Sequence, residues 1–126
     1  MINEDRRLIG QQAWEEARDI LHYRGWKLQQ VDWLGQRNGE WIKFEVKAQE
    51  PFEPPPFEGH GLPRWQIESS QKLLEDKQIR TILMIKDLKN KIWVSQFLDV
   101  LEKGDYHDTY GLSPRRVYPI SNFEEV

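Results

Sequence analysis

The sequence predicts an α/β fold, a mixed β-sheet flanked by helices in the order α-β-β-β-α-β-β-α. The segment 5–23 carries apolar residues at spacings of three and four, which is typical of a helix with one buried face, and 65–77 also looks helical, with Ile67, Leu73 and Leu74 as its apolar positions. Alternating or continuous apolar runs bounded by turn residues lie between and after them, which is typical of strands. The 126 residues contain no internal repeat and fit a single domain, 1–126, with one hydrophobic core.

The first half of the chain reads as a helix followed by a β-hairpin. The helix covers 5–23 and is expected to end before Gly25. An extended segment, 26–34, and an alternating strand, 41–47, come next. Asn38-Gly39 between these two segments is the strongest short hairpin signal, so we predict a two-residue turn. The apolar positions of the helix are Ile9, Ala13, Ala17, Ile20 and Leu21.

The second half begins with a proline-rich segment. Residues 49–64 hold five of the seven prolines, which predicts a long loop without regular structure. Ser95 is expected to cap a short helix that runs through Glu102 and ends at Gly104. The other predicted elements are a helix over 65–77, a buried strand over 81–85, a turn at 87–90, a strand over 91–94 and an extended piece over 116–120.

The composition excludes several functional classes. The chain has no cysteine, which removes disulfides, cysteine-based zinc sites and thiol nucleophiles and fits a reducing cytoplasm, the expected location. No stretch approaches the ~18 consecutive apolar residues of a membrane span. The first seven residues lack the apolar region of a signal peptide, so we expect no membrane association.

The predicted turn determines which hairpin residues face each other. Arg37 would pair with Glu40, and the pairing then continues outwards residue by residue. One face would be apolar and the other charged, because successive side chains of a strand point to opposite faces. The apolar pairs would be Gly35 with Ile42, Trp33 with Phe44 and Val31 with Val46, and the polar-face pairs Leu34 with Lys43, Asp32 with Glu45 and Gln30 with Lys47.

Two carboxylates would therefore converge on the charged face of the hairpin. Directly opposed residues have Cβ atoms about 4.5–5.5 Å apart, and like charges at that distance destabilise a sheet unless something compensates them. A bound divalent cation could compensate Asp32 and Glu45, and so could Lys43 and Lys47. The alternative is a solvent-exposed face on which the four charges form a neutral surface network.

The residues of this hairpin also carry a family resemblance. The segment Val31-Asp32-Trp33-Leu34, followed by Lys43-Phe44-Glu45-Val46-Lys47, resembles the PD-(D/E)XK nuclease superfamily, in particular archaeal Holliday-junction resolvases and small RecB-like nucleases. Those proteins carry an Asp and then a strand with Glu-x-Lys. Residues 10–26 are similar to the first helix of the family, and 61–66 to a stretch in which a helix contributes a Gln. The resemblance covers roughly residues 10–100 and implies a restriction-endonuclease-like core.

The resemblance implies metal-dependent hydrolysis of phosphodiester bonds in DNA. Asp32, Glu45 and the backbone carbonyl of Val46 would hold Mg²⁺ or Mn²⁺, which polarises the phosphate and lowers the pKa of a bound water. Lys47 would orient that water and stabilise developing negative charge. Gln66 would orient the lysine, the water or the phosphate.

Four further residues are candidate contacts to nucleic acid. Lys43 and Arg64 could position backbone phosphates, and Trp65 could stack on a base. His60 could touch substrate or be an ordinary exposed loop histidine. The Arg115-Arg116 pair could bind a phosphate or be an ordinary surface pair. A homodimer is expected only by analogy with junction-cutting relatives.

The chain departs from the family in its first helix. Many members place a glutamate there towards the metal, and the best register puts Trp14 at that position. Glu16 lies at the edge of the apolar stripe, three residues after Ala13 and four before Ile20. It is therefore the candidate replacement ligand, or else an ordinary surface glutamate.

Three functions remain open at this stage. The first is a Mg²⁺-dependent nuclease that acts on DNA. The second is a catalytically weak or inactive nuclease-fold module that binds nucleic acid or a partner protein; Trp14 and the net charge of −3 favour it, because nucleic-acid binders are more often basic. The third is a structural α/β domain whose charged strand face is only surface.

Overall fold

The computed structural model describes residues 3–29 and 33–126. The elements within these residues, in chain order, are α1 (Asn3–Tyr23), β1 (Lys27–Leu28), β2 (Leu34–Arg37), β3 (Glu40–Gln49), β4 (Gly59–Pro63), α2 (Arg64–Lys77), β5 (Arg80–Asp87), β6 (Ile92–Phe97), α3 (Leu98–Lys103), β7 (His107–Thr109), β8 (Arg115–Pro119), a 3₁₀ turn (Ile120–Asn122) and β9 (Glu124–Glu125).

These strands form two sheets. The larger has six strands in the order β1-β2-β3-β5-β6-β9, and the smaller has three in the order β4-β8-β7. Strands β3 and β5 are parallel and the other pairs are antiparallel. A parallel pair needs a crossover connection, and β4 with α2 supplies it. The predicted mixed sheet flanked by helices is confirmed.

Strand β3 separates two hydrophobic cores. Its even-numbered residues Ile42 and Phe44 are buried against Ala17 and Leu21 of α1, as the predicted apolar face requires. The odd-numbered residues point to the opposite side, where α2, α3 and the smaller sheet lie. The core on that side comprises Leu62, Ile67, Leu83, Ile85, Val94, Leu98, Leu101, Tyr118 and Phe123. Within the described residues, no helix is long and apolar enough to cross a membrane.

The hairpin has the predicted register. Arg37 pairs with Glu40 and Leu34 with Lys43. The turn residues Asn38 and Gly39 have φ values of 54° and 78°, the left-handed conformation that two-residue hairpin turns prefer. The register therefore follows from local turn chemistry.

The pairing extends by one further hydrogen bond beyond β2. The amide of Phe44 donates to the carbonyl oxygen of Trp33 at 2.9 Å, while Trp33 itself has a left-handed φ of 52°. The predicted pairs of Asp32 with Glu45, Val31 with Val46 and Gln30 with Lys47 lie outside the described residues.

The prediction of a structureless loop over 49–64 is wrong at its C-terminal end. Residues 59–63 form β4, which pairs with β8. The glycines that suggested a loop permit this pairing, because a Cβ atom on Gly59 or Gly61 would overlap the backbone carbonyl oxygen of Tyr118 or Arg116. The composition of β4 reflects a close approach between two strands.

The helices after this strand agree with the predictions except at one cap. Helix α2 spans Arg64–Lys77, close to the predicted 65–77. Ser95 does not cap α3, because β6 continues through it to Phe97. The helix ends at the predicted Gly104, whose amide donates to the carbonyl oxygen of Leu101.

Candidate active site

The charged face of β3 is covered by other parts of the protein. Lys43, Glu45 and Lys47 pair in register with Thr81, Leu83 and Ile85 of β5, whose side chains enter the core beneath α2. The side chains of Lys43 and Glu45 are each only 16% exposed. At Lys43 and Glu45 the face is therefore not solvent-exposed, as the alternative of a surface network would require, although these two charges do pair with each other.

Glu45 forms an ion pair with the lysine that precedes it on the same face. Lys43 Nζ lies 3.0 Å from Glu45 Oε1. The same ammonium group donates to Ser70 Oγ at 3.4 Å, and Ser70 is buried on α2. Lys43 therefore bridges β3 and α2, and the Glu45 carboxylate lies between this helix and the sheet.

Lys47 is a half-buried cation. Burial lowers the pKa of Lys47, and the positive charges of Arg115 and Lys43 lower it further. The negative charge of Glu45 opposes this shift but does not cancel it. A perturbed lysine next to a carboxylate and a cleft is typical of a functional site.

A cleft of about 250 Å³ opens beside Glu45, and we call it the tryptophan cleft. Trp65 forms part of its wall and is 67% exposed. Gln66 Oε1 is buried there and has no hydrogen-bond partner among the described residues. A buried acceptor without a donor costs about 1–3 kcal/mol, a cost that a hydrogen bond from a ligand or a water molecule would remove. The lining residues are Trp33, Lys43, Phe44, Glu45, Trp65, Gln66 and Ser69.

The structure thus brings several of the predicted site residues together. Lys43, Glu45, Trp65 and Gln66 line one cleft, and Lys47 is the next residue along the same strand face. Val46 lies between Glu45 and Lys47 in β3. Asp32, the predicted second carboxylate, lies outside the described residues.

Arg64 lies at the start of α2 but does not line the tryptophan cleft. Its guanidinium group is 3.5 Å from Asp108, and its backbone amide donates to the carbonyl oxygen of Pro114. The side chain is 31% exposed, which leaves it accessible from solvent. A phosphate contact at Arg64 stays a prediction.

Glu16 lies on the wrong side of the sheet to share a metal with Glu45. Its carboxylate accepts hydrogen bonds from Lys86 Nζ at 2.7 Å and Trp93 Nε1 at 3.3 Å. Lys86 pairs with Ala48 of β3, and Ala48 points to the face opposite Glu45. The expectation that Glu16 replaces the usual helix ligand is therefore wrong.

Trp14 occupies a different place from Glu16. Its ring meets Trp33 edge to face, with the ring centroids 4.3 Å apart and the planes at 77°. Trp33 in turn lines the tryptophan cleft and packs against the core that contains Phe44. The helix position where the resemblance expects a glutamate therefore supports the cleft wall through an aromatic contact.

His60 is not an exposed loop residue and cannot contact nucleic acid. It is 1% exposed within β4. Its Nε2 lies 2.8 Å from Asp87 Oδ2 and its Nδ1 lies 3.0 Å from Gln49 Oε1. The expectation of a nucleic-acid contact is wrong because β4 places the imidazole inside the protein.

Asp87 is the acidic residue of this buried group. Its Oδ1 accepts hydrogen bonds from the backbone amides of Lys89 and Asn90, which closes the turn after β5. Burial favours a higher pKa for Asp87, but the hydrogen bonds from Asn90 and His60 outweigh it and lower the pKa below its ordinary value. Asp87 is therefore charged and fully partnered.

Arg115 is a further candidate, which the sequence did not distinguish from Arg116. Its Nη2 donates to the carbonyl oxygen of Gly61 at 3.1 Å, and its side chain lines a cleft together with Gln49 of β3. Arg116, the next residue, points to the other side and forms hydrogen bonds with Asp108 and Glu102. Successive side chains of a strand point to opposite sides, so Arg115 and Arg116 point away from each other. A sequence can predict this difference only if both residues are first predicted to lie in a strand.

Comparison with known proteins supports the fold and little else. No family model matches the sequence, and no curated protein matches it. Among solved structures, the chain is similar to Hjc, a Holliday junction resolvase of the archaeal hyperthermophile Archaeoglobus fulgidus, with a TM-score of 0.63 and 10% identity. The match covers 93% of this chain and 91% of that one. The predicted likeness to archaeal Holliday-junction resolvases is confirmed for the fold.

Proposed function

We propose that this protein is a metal-dependent nuclease that hydrolyses phosphodiester bonds in DNA at Glu45 and Lys47. One observation carries the proposal: a carboxylate and a half-buried lysine stand beside a cleft whose wall contains an unpartnered acceptor, Gln66, and an exposed aromatic ring, Trp65. DNA is the proposed substrate because the protein shares its fold with a Holliday junction resolvase.

The proposed metal ligands are oxygen atoms of Asp32, Glu45 and the Val46 carbonyl, which suit Mg²⁺ or Mn²⁺. Residues 3–29 and 33–126 contain no cluster of three acidic or histidine side chains, so the site needs the carboxylate of Asp32. The unpartnered Gln66 Oε1 fits an additional ligand or a metal-bound water. When bound, the metal polarises the phosphate and lowers the pKa of a water molecule.

The protein's own residues supply position and charge. Lys43 contacts Glu45 Oε1, which leaves Oε2 available on the same carboxylate. Burial lowers the pKa of Lys47, so the charged form is less favourable there than in a solvent-exposed lysine. An incoming phosphate would stabilise that ammonium group, and Lys47 would donate a hydrogen bond to the phosphate or to the attacking water.

The tryptophan cleft would hold the nucleotide next to the reacting phosphate. Trp65 is exposed enough to stack on a base, an interaction that tolerates any sequence. Lys43 and Arg64 would contact backbone phosphates and set the position of the strand. Gln66 would orient Lys47, the water or the phosphate.

A cleavage assay tests this function. Linear, branched and single-stranded DNA and RNA are incubated with Mg²⁺, Mn²⁺ or EDTA and the parent protein, Lys47→Ala or Lys86→Ala. We expect metal-dependent cleavage by the parent and by Lys86→Ala, which changes the opposite face of the sheet. Cleavage by Lys47→Ala at the parent rate would overturn the mechanism.

Thermal unfolding tests the metal separately from the cleavage. A ligand that binds only the folded protein raises its midpoint temperature. Mg²⁺ or Mn²⁺ at millimolar concentration is expected to raise the midpoint of the parent but not that of Asp32→Ala or Glu45→Ala. The absence of any shift in the parent would contradict the metal site.

A catalytically inactive module that binds nucleic acid is the second candidate. One observation favours it: the carboxylate of Glu16 is held by Lys86 and Trp93, while Trp14 packs against Trp33. Helix α1 therefore brings neither residue to the Glu45 face as a carboxylate ligand. Binding of DNA without cleavage under every metal condition would select this candidate. The homodimer stays a prediction, which light scattering of the purified protein would test.

A further inference from the structure

We propose that Arg115 is a second phosphate-binding residue of this site and holds the backbone phosphate next to the one at Glu45 and Lys47. The inference rests on the proposed function, since it requires that a nucleic-acid strand lies along β3. It adds a residue of the smaller sheet to the site. It also predicts that the nucleic-acid strand runs from Trp65 past Glu45 and Lys47 towards Arg115.

The odd-numbered face of β3 connects two clefts. Its residues Lys43, Glu45, Lys47 and Gln49 follow each other at about 6.6 Å, the spacing of alternate residues in a strand. Lys43 and Glu45 line the tryptophan cleft. Gln49 lines a second cleft of about 360 Å³, which we call the arginine cleft. Its other lining residues are Glu50, Phe52, Gly59, Gly61, Thr109, Arg115 and Val117.

Arg115 is held in the arginine cleft by hydrogen bonds at both ends. Its backbone amide donates to Thr109 Oγ1 at 3.2 Å, and its Nη2 donates to the Gly61 carbonyl oxygen at 3.1 Å. Gly61 is itself fixed, because its amide donates to Gln49 Oε1 at 3.0 Å. A guanidinium group has five donors, so most of them remain available to a ligand.

The charges around Arg115 favour the binding of an anion. Among the described residues, no carboxylate lies within 4.0 Å of its guanidinium group, whereas Arg80 and Arg116 each have such a partner. Glu50 also lines the cleft but forms no ion pair with Arg115. Burial lowers the pKa of Arg115 itself. A half-buried guanidinium group without a carboxylate partner is stabilised when an anion binds beside it.

The chemistry of Arg115 suits a phosphodiester. The planar guanidinium group can donate two parallel hydrogen bonds to phosphate oxygens, which a lysine cannot do. A strand whose base stacks on Trp65 would pass Glu45 and Lys47 and then reach Arg115. The phosphate beyond the reacting one would therefore meet the arginine cleft.

The salt dependence of DNA binding tests this proposal. Fluorescence anisotropy with a labelled oligonucleotide in EDTA, at KCl concentrations from 50 to 200 mM, gives the slope of log K against log salt. Each lost phosphate contact reduces the magnitude of that slope by about 0.9 for duplex and about 0.7 for single-stranded DNA. Arg115→Gln is expected to lose this amount and to bind about tenfold more weakly near 100 mM salt.

Two variants separate a phosphate contact from a structural role. Arg115→Lys keeps the cation and is expected to keep the slope. Lys103→Gln removes an exposed lysine outside both clefts and should bind as the parent does, although it changes the net charge equally. If Arg115→Gln does not fold, Thr109→Glu keeps Arg115, places a carboxylate in the arginine cleft and is expected to reduce the slope similarly.

The outcomes for this proposal and for the proposed function differ. If the parent binds no nucleic acid with or without metal, the proposed function fails and this inference fails with it. If the parent binds but Arg115→Gln and Thr109→Glu match Lys103→Gln in slope and affinity, only the role of Arg115 is overturned.

Discussion

Two clusters of charged side chains lie on the same side of the large sheet and differ in how completely their atoms are paired. The closed cluster consists of His60, Asp87, Gln49 and Asn90, in which the histidine and aspartate side chains are 0% exposed and both polar atoms of each have partners. The open cluster consists of Lys43, Glu45, Lys47 and Gln66. It borders a cleft and contains an acceptor without a donor.

This difference in pairing distinguishes side chains that stabilise the fold from side chains that can bind a ligand. Buried polar groups that satisfy each other stabilise one conformation and have nothing left to offer a ligand. Buried groups that lack partners destabilise the free protein and gain most when a ligand arrives. His60 and Gln66 are both polar residues near glycine- or proline-rich sequence, and only the pairing of their atoms distinguishes their roles.

The largest expected effect is on the closed cluster. Asp87→Ala should lower the free energy of unfolding by about 3–5 kcal/mol, because it leaves the buried His60 Nε2 and two turn amides without their hydrogen-bond partner, at about 1–3 kcal/mol each. Urea denaturation in EDTA measures this value. Glu45→Gln is the control and should cost less, because the amide oxygen of the new side chain can still accept a hydrogen bond from Lys43 Nζ. Similar losses in both variants would contradict the distinction between the clusters.

The next effect is on catalysis in the open cluster. Lys47→Met should reduce the single-turnover rate of DNA cleavage by about 100- to 1,000-fold, the usual cost of removing one donor to a developing negative charge. The free energy of unfolding should stay the same or rise, because an apolar side chain avoids the burial penalty that lowers the pKa of Lys47. A parallel loss of stability and rate would assign Lys47 to the fold instead.

Gln66 should show a smaller effect of opposite sign on stability and binding. Gln66→Leu removes the unpartnered buried acceptor and should raise the free energy of unfolding by about 1 kcal/mol. The same variant should weaken DNA binding, since the acceptor is then missing from the cleft. Gln71→Leu, which loses an exposed hydrogen bond to Glu102, provides a control and should not stabilise the protein. If Gln66→Leu is less stable than the parent, the Gln66 side chain stabilises the fold as the residues of the closed cluster do.

The smallest effect is a pH dependence confined to acid. Because the folded protein lowers the pKa of Asp87, this group contributes stability that is fully present above its ordinary pKa of about 3.9 and is lost as the pH falls through the folded value. Urea denaturation between pH 6 and pH 2 should show this loss in the parent. Asp87→Asn should be less stable at neutral pH and should lack this part of the acid dependence. An unchanged pH profile in Asp87→Asn would remove Asp87 from the explanation.

The parts of the fold that depend on local chemistry could be predicted from the sequence. Asn38-Gly39 determines the register of the hairpin, and the alternation after it places Glu45 and Lys47 on one face. Helix α2 lies within one residue of the predicted 65–77. The hairpin register places Lys43 and Glu45 on one face, and the family resemblance adds Gln66 to the candidate site. These three residues and Trp65 line one cleft.

The remaining features depend on contacts between distant segments. Strand β4 pairs with β8, whose residues come more than fifty positions later, so its proline and glycine content alone suggested a loop. The burial of His60 and the position of Arg115 both follow from that pairing. A single sequence carries no signal for which distant strand will lie beside a given segment.

Gly61 joins the closed cluster to Arg115 through its backbone. Its amide and carbonyl groups bond to Gln49, which contacts His60, and the same carbonyl accepts from Arg115. The imidazole of His60 is therefore a natural reporter for nuclear magnetic resonance. An anion drawn to Arg115 should move the ring resonances of His60 through this chain of hydrogen bonds, although no ligand atom reaches the ring. The interior of the protein could then be used to observe events at its surface.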